Sequence, residues 1–206
     1  MKRSFLFTTY SGSPYLGFYD AKTITKLPQS NITINPNGGN IPYNGSGCAF
    51  SLDGSMLAVS HNNGPYLTVY NTADWSKIPL TGGIPTGNGT SCAFSPDGLL
   101  VAVTHASAPY ITVYDTTDWS KKALAGGNPS GTATGCAFSP DGLLLAVTHA
   151  GSPYLTVYNT ADWSKISITG GNPSYTGNGC TFSPDGLLLA VVHNNSPYLT
   201  VYNTAD

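Results

Sequence analysis

His61, His105, His149 and His193 stand 44 residues apart, and Cys48, Cys92, Cys136 and Cys180 keep the same interval. Imidazoles that converge on one point could ligate a metal, and an even number of cysteines could form disulfides. The regular interval argues for plainer roles. Residues at one place in successive units stay a unit apart, whereas a disulfide needs Cα atoms within about 7 Å. The cysteines are therefore expected to be buried free thiols acting as small apolar residues. Each histidine is expected to hydrogen-bond the loop of its own unit.

The carboxylates are sorted in the same way. Asp is the only acidic residue type, and its copies fall into sets: Asp53, Asp97, Asp141 and Asp185; Asp74, Asp118, Asp162 and Asp206; and Asp20 and Asp115, each after a Tyr. None is left over as a singular acid or base. Catalysis normally needs an asymmetric group of nucleophile, base and stabiliser. The expectation is a chain that is not an enzyme, with no catalytic residue, no metal site and no cofactor.

The elements that carry these residues repeat with them. Gly135-Cys136-Ala137-Phe138-Ser139 reads as a short strand, A, and Pro140-Asp141-Gly142 as a tight turn in which Pro presets φ and Gly accepts a positive one. Strand B, Leu143 to His149, is an apolar run without polar alternation, as expected of a strand covered on both faces. Strand C, Pro153 to Asn159, is rich in β-branched and aromatic residues. Strand D is expected from near Trp163 to about Thr169, with Trp75, Trp119 and Trp163 as packing residues of the outer strands. No segment has a helical period.

Four short strands in a 44-residue unit predict an all-β fold, a β-propeller built of four-stranded blades. The first copy contains Ser13-Pro14-Tyr15 and lacks strand A, and the last stops at Asp206 before strand D. The favoured arrangement makes the whole chain, 1–206, one propeller domain of five blades and 18 strands, with blade segments 1–43 (partial), 44–87, 88–131, 132–175 and 176–206 (partial) and the two incomplete blades side by side; the alternative is a longer chain cut at Asp206.

Connectivity puts the A–B and C–D loops at one end of each blade and the B–C and D–A loops at the other. The second end collects His61, His105, His149 and His193 with Tyr66, Tyr110, Tyr154 and Tyr198, and Tyr10 in the equivalent place of the first copy. These residues form the candidate face for a ligand or partner.

Only 9% of residues are charged and the net charge is −2, which supplies no basic footprint for nucleic acid. The apolar run near Met1 is too short for a signal-peptide core, and the longest run, Leu187 to Val192, is far short of the roughly 20 residues that span a bilayer. No membrane insertion is expected, and a virion or the cytoplasm is the expected location.

Ala-Phe-Ser-Pro-Asp-Gly followed by Leu-Leu-Leu-Ala-Val resembles the inner strands of WD-repeat propellers, and Tyr114-Asp115 stands where that family has its Trp-Asp pair. The Ser-Pro-Asp-Gly turns, and strands ending like Ala190-Val191-Val192-His193-Asn194-Asn195, also resemble surface-layer and lactonase-like propeller repeats. Ser-Pro-Tyr, Asp-Trp-Ser-Lys and Gly-Gly-Asn-Pro together look like repeat proteins of bacteriophage structural gene sets. The resemblance implies architecture rather than activity. The expected function is a non-catalytic scaffold for protein–protein interaction or self-assembly, as in a virion or surface component. The alternatives are a multivalent glycan-binding propeller and, further off, a lactonase-like hydrolase.

Overall fold

The computed structural model describes residues 43–205 throughout and, ahead of them, the backbone of three strands. Five antiparallel sheets follow one another along the chain, each in simple sequence order. The first holds β1 (Phe5–Thr9), β2 (Leu16–Asp20) and β3 (Thr25–Lys26). The second holds β4 (Gly45–Phe50), β5 (Met56–His61), β6 (Leu67–Asn71) and β7 (Lys77–Ile78), and the third β8 (Gly89–Phe94), β9 (Leu100–His105) and β10 (Ile111–Asp115). The fourth holds β11 (Ala133–Phe138), β12 (Leu144–His149), β13 (Leu155–Asn159) and β14 (Lys165–Ile166), and the fifth β15 (Gly177–Phe182), β16 (Leu188–His193) and β17 (Leu199–Asn203). This is the predicted all-β propeller repeat. Tyr10 and Asp206, as well as Pro14 and Tyr15, lie outside the described residues.

The outer strands depart from expectation. Strand D does not begin at Trp163: that residue has φ 61°, and its N–H donates back to the Asn159 carbonyl at 2.8 Å in a turn. Only Lys165 and Ile166 then pair with β13. In the third blade the fourth strand shrinks to one bridge, Tyr114 with Lys121, leaving 17 strands rather than 18 among the described residues. Strand C starts at Leu155, because Tyr154 has φ 68° and cannot extend the strand.

Each blade has a leading face, turned to the preceding sheet, and a trailing face, turned to the following one. Strand B is buried on both in the second, third and fourth blades: Leu57, Ala58, Val59, Val101, Ala102, Val103, Leu145, Ala146 and Val147 are each 0% exposed. Full burial of side chains of this kind stabilises by roughly 1.5–3 kcal/mol each. In β16 the alternate residues Leu188 and Val192 are exposed, so burial on both faces fails in the last blade.

A bulge fixes how blades meet. The register of strands A and B shifts between Gly45 and Gly47, Gly89 and Ser91, and Ala133 and Gly135. The residue in the shift is turned out of the ladder. Ser46 Oγ donates to the Gly89 carbonyl at 2.6 Å, Thr90 Oγ1 to that of Ala133 at 2.7 Å and Thr134 Oγ1 to that of Gly177 at 2.5 Å. Each hydroxyl thus holds strand A of the following blade.

The A–B turn is held by its own side chains. Asp97 Oδ1 accepts from Ser95 Oγ at 2.5 Å and from the Leu99 N–H at 2.9 Å, and Gly98 supplies φ 73°. Thr116 then donates from Oγ1 to the Gly98 carbonyl at 2.7 Å, which ties the C–D loop to the A–B turn at one end of the blade. The Gly-Gly part of the D–A connection does not join the B–C loop as expected. The Gly82 N–H donates to the Trp119 carbonyl at 2.9 Å and that of Gly126 to Trp163 at 2.8 Å, because short D strands bring the chain across to the next blade early. A Cβ on Gly126 would stand 2.6 Å from the Lys165 nitrogen, so that crossing has no room for a side chain.

Candidate interaction face

The B–C loops carry the predicted residues, and they separate the histidines from the tyrosines. His61, His105 and His149 are 0% exposed and His193 is 3% exposed. In each, Nδ1 lies against a loop carbonyl: Asn63 at 2.7 Å, Ser107 at 2.8 Å, Gly151 at 2.7 Å and Asn195 at 3.0 Å. Nε2 meets the Thr68, Thr112, Thr156 or Thr200 hydroxyl at 3.1, 3.0, 2.9 and 3.0 Å. A carbonyl can only accept, so Nδ1 carries the proton and Nε2 is free to accept from the threonine. Burial pushes the pKa of His61, His105 and His149 down, against the opposing pull of the loop carbonyls, and keeps these rings neutral. The threonine partners, seven residues downstream, are a feature that sequence reasoning missed. The constant His-to-Thr interval was the available signal.

The histidine fixes the loop that presents the tyrosine. The His61 N–H donates to the Tyr66 carbonyl at 3.0 Å and the Tyr66 N–H to the Asn63 carbonyl at 3.0 Å, with the same pair of bonds in the next three blades. Tyr66, Tyr110, Tyr154 and Tyr198 have φ of 67°, 70°, 68° and 63°, each after a cis proline bond. Left-handed backbone is unfavourable for a bulky L-residue, and here it aims the carbonyl into the blade. The Tyr66 oxygen would lie 2.5 Å from a Cβ on Gly89, so a side chain there would push the loop of the preceding blade away. Tyr66, Tyr110 and Tyr154 are half-buried at the surface and Tyr198 is exposed. The tyrosines, not the histidines, are therefore the groups that meet the outside.

The other periodic residues have internal partners. Trp119 and Trp163 are buried, and Trp119 packs with Leu67 and Val69 of the preceding blade. The cysteines are free thiols; Cys92 Sγ faces the Ala58 carbonyl at 3.6 Å, and burial raises its pKa to about 12, so little thiolate forms at neutral pH. Asp53 is drawn down to about 2 by the Ser51 hydroxyl and the Ser55 N–H. Among the described residues no three His, Cys or Asp side chains come together as a metal site would require, and no helix is long and apolar enough to cross a membrane.

Sheets following one another in chain order, the second to the fourth each bonded to strand A of the next, define a β-propeller-type repeat protein. No family model and no curated protein matches the chain. Among solved structures it is similar in fold to hydrazine synthase of Kuenenia stuttgartiensis, with a TM-score of 0.72, 19% identity, and coverage of 98% of this chain and 60% of that one. The chain thus spans about three fifths of the length of the structure it matches. This comparison corrects the expectation that the chain is not an enzyme. A protein named for its catalysis contains this arrangement of sheets, so a repeated all-β architecture is no argument against activity. At 19% identity the likeness is one of fold.

Proposed function

We propose that this protein is a β-propeller scaffold that binds a protein partner through its B–C loop face, as a component of an assembled surface such as a virion. The observation that carries the reading is the series Tyr66, Tyr110, Tyr154 and Tyr198, held in one backbone conformation and offered at the surface once per blade. Tyrosine is enriched at protein interfaces because it brings a large amphipathic surface with few rotatable bonds. Loops already closed by a buried histidine lose little conformational freedom on binding. A repeated contact of modest strength gains from avidity when the partner is itself repetitive.

The test compares the chain with a variant in which all four tyrosines are changed to Ser. Chemical cross-linking followed by mass spectrometry on particles or lysate of the source should place cross-links at the B–C loops, and the variant should lose that partner by at least tenfold. A partner retained equally by both forms would refute the reading. A glycan array that binds the native chain and not the variant would replace the protein partner by a carbohydrate.

A further inference from the structure

The A–B turn of the second blade departs from those of the third, fourth and fifth. Ser51-Leu52-Asp53-Gly54-Ser55-Met56 stands where the third blade has Ser95-Pro96-Asp97-Gly98-Leu99-Leu100 and the next two repeat that pattern. Proline folds its ring back on its own backbone, and here the ring covers the turn of the following blade. A Cβ on Gly142 would stand 3.6 Å from Pro96 Cδ, and one on Gly186 3.5 Å from Pro140 Cδ. Leu52 gives no such cover. It is 81% exposed, and a Cβ on Gly98 would have Ser51 Cβ, at 4.0 Å, as its nearest neighbour.

The space left open is a cavity of about 500 Å³ between the second and third blades, the size of a small-ligand site. Leu52, Met56, Pro96 and Leu99 supply apolar walls, and Asp53 and Asp97 are the charged residues that line it. In each aspartate Oδ1 is engaged inside its own turn. That of Asp53 accepts from the Ser51 hydroxyl at 2.6 Å and the Ser55 N–H at 3.0 Å, and that of Asp97 from Ser95 and the Leu99 N–H. Among the described residues no donor reaches either Oδ2. The turn carbonyls are taken as well, that of Gly54 by the Thr72 hydroxyl at 2.6 Å and that of Gly98 by Thr116 at 2.7 Å. A hard metal ion wants a shell of oxygens, and this cavity offers hydrocarbon around two carboxylates. A cation that carries its own apolar surface matches both halves.

We propose that this cavity binds a small organic cation, a guanidinium or ammonium group on a short hydrocarbon stem, with the charged end between Asp53 and Asp97 and the stem on Leu52, Met56, Pro96 and Leu99. Guanidinium is the better head, because its planar fork of donors can serve two separate acceptors whereas an ammonium acts as a point charge. The next two junctions repeat the aspartates but keep the covering proline, so the second and third blades form the one such site among the described residues. The site lies at the opposite end of the blades from the B–C loops and does not depend on the scaffold reading.

The test uses methionine-methyl NMR, since Met1 and Met56 are the two methionines of the chain and Met56 lines the cavity. Titration with n-butylguanidinium should shift the Met56 signal to saturation with a Kd of about 1 mM. n-Butylammonium should act more weakly, and n-butanol, with the same stem and no charge, should leave the signal in place. Asp53→Asn and Asp97→Asn keep an Oδ1 acceptor for the turn and should each weaken binding about tenfold. Leu52→Pro restores the turn of the other blades and should abolish the shift while the melting temperature holds or rises. A Met56 signal that never moves, an equal response to n-butanol, or Asn and Pro variants that bind like the native chain would each overturn the proposal. Calcium chloride that shifts Met56 and excludes the organic cation would overturn it in favour of a metal site. The four-tyrosine variant should bind the cation as the native chain does, so a failure here leaves the scaffold reading standing.

Discussion

The fourth blade and the last blade present the same apolar residues in the same strands and surround them differently. Leu155 is 1% exposed and Val157 6%, whereas their counterparts Leu199 and Val201 are both 49% exposed. Leu155 and Val157 pack with Leu189 and Val191 of the following sheet, and no described sheet follows the last one. The difference teaches that burial in this fold belongs to the junction between blades. A unit supplies one half of each of two interfaces, and its stability depends on who supplies the other halves.

The sharpest way to break the comparison is to place a carboxylate at the paired positions. Val157→Asp leaves a charge between two sheets and should cost about 4 kcal/mol or more, enough to unfold the fourth and fifth blades together. Val201→Asp should change monomer stability by no more than about 0.5 kcal/mol. Urea unfolding of the two variants decides this, and equal losses would mean that the last blade is covered in solution.

Truncation gives a smaller version of the same contrast. Leu155→Ala should cost about 2–5 kcal/mol, whereas Leu199→Ala should cost less than about 1 kcal/mol. Thr134→Val removes the hydroxyl that donates to the Gly177 carbonyl and should cost about 1 kcal/mol in thermal unfolding. The reverse change in the last blade, Val192→Thr, meets no following strand among the described residues and should be close to neutral.

The gentlest expected effect is a drift with pH, which sharpens the contrast between the inside and the outside of one loop. Burial lowers the pKa of His61, His105 and His149 from the ordinary value near 6.5. Below that value the unfolded chain binds protons that the folded chain resists, so stability is complete above about pH 7 and declines as the pH falls. The melting temperature should decrease steadily from about pH 7.5 to pH 5. A flat profile over that range would show that these rings are accessible to water.

Much of the fold was legible in the residues. Pro-Asp-Gly turns, the apolar strand B and the 44-residue interval mark the blades, because turn chemistry and side-chain alternation are local properties of a chain. The outer strands were less legible. The positive φ of Tyr154 and Trp163 reflects hydrogen bonds closed within loops rather than a preference of those residue types. The candidate face was half legible. Its loops and residue types follow from the repeat, while the division of labour between a buried histidine and a surface tyrosine does not.

By itself, the sequence determined the unit, its strands and the positions that must recur, since these depend on near neighbours along the chain. It also contained the unusual Asn178, Thr181 and Val192, but without a meaning attached to them. Only the tertiary structure decided that these three lie toward one side of the last blade, that the histidines face inward and that four sheets have a following neighbour. The sidedness of the three residues and the following neighbours depend on contacts between segments about a blade apart, which leave no local trace in residue order, whereas the histidines are held within seven residues of chain and turn inward only once the sheet closes over them.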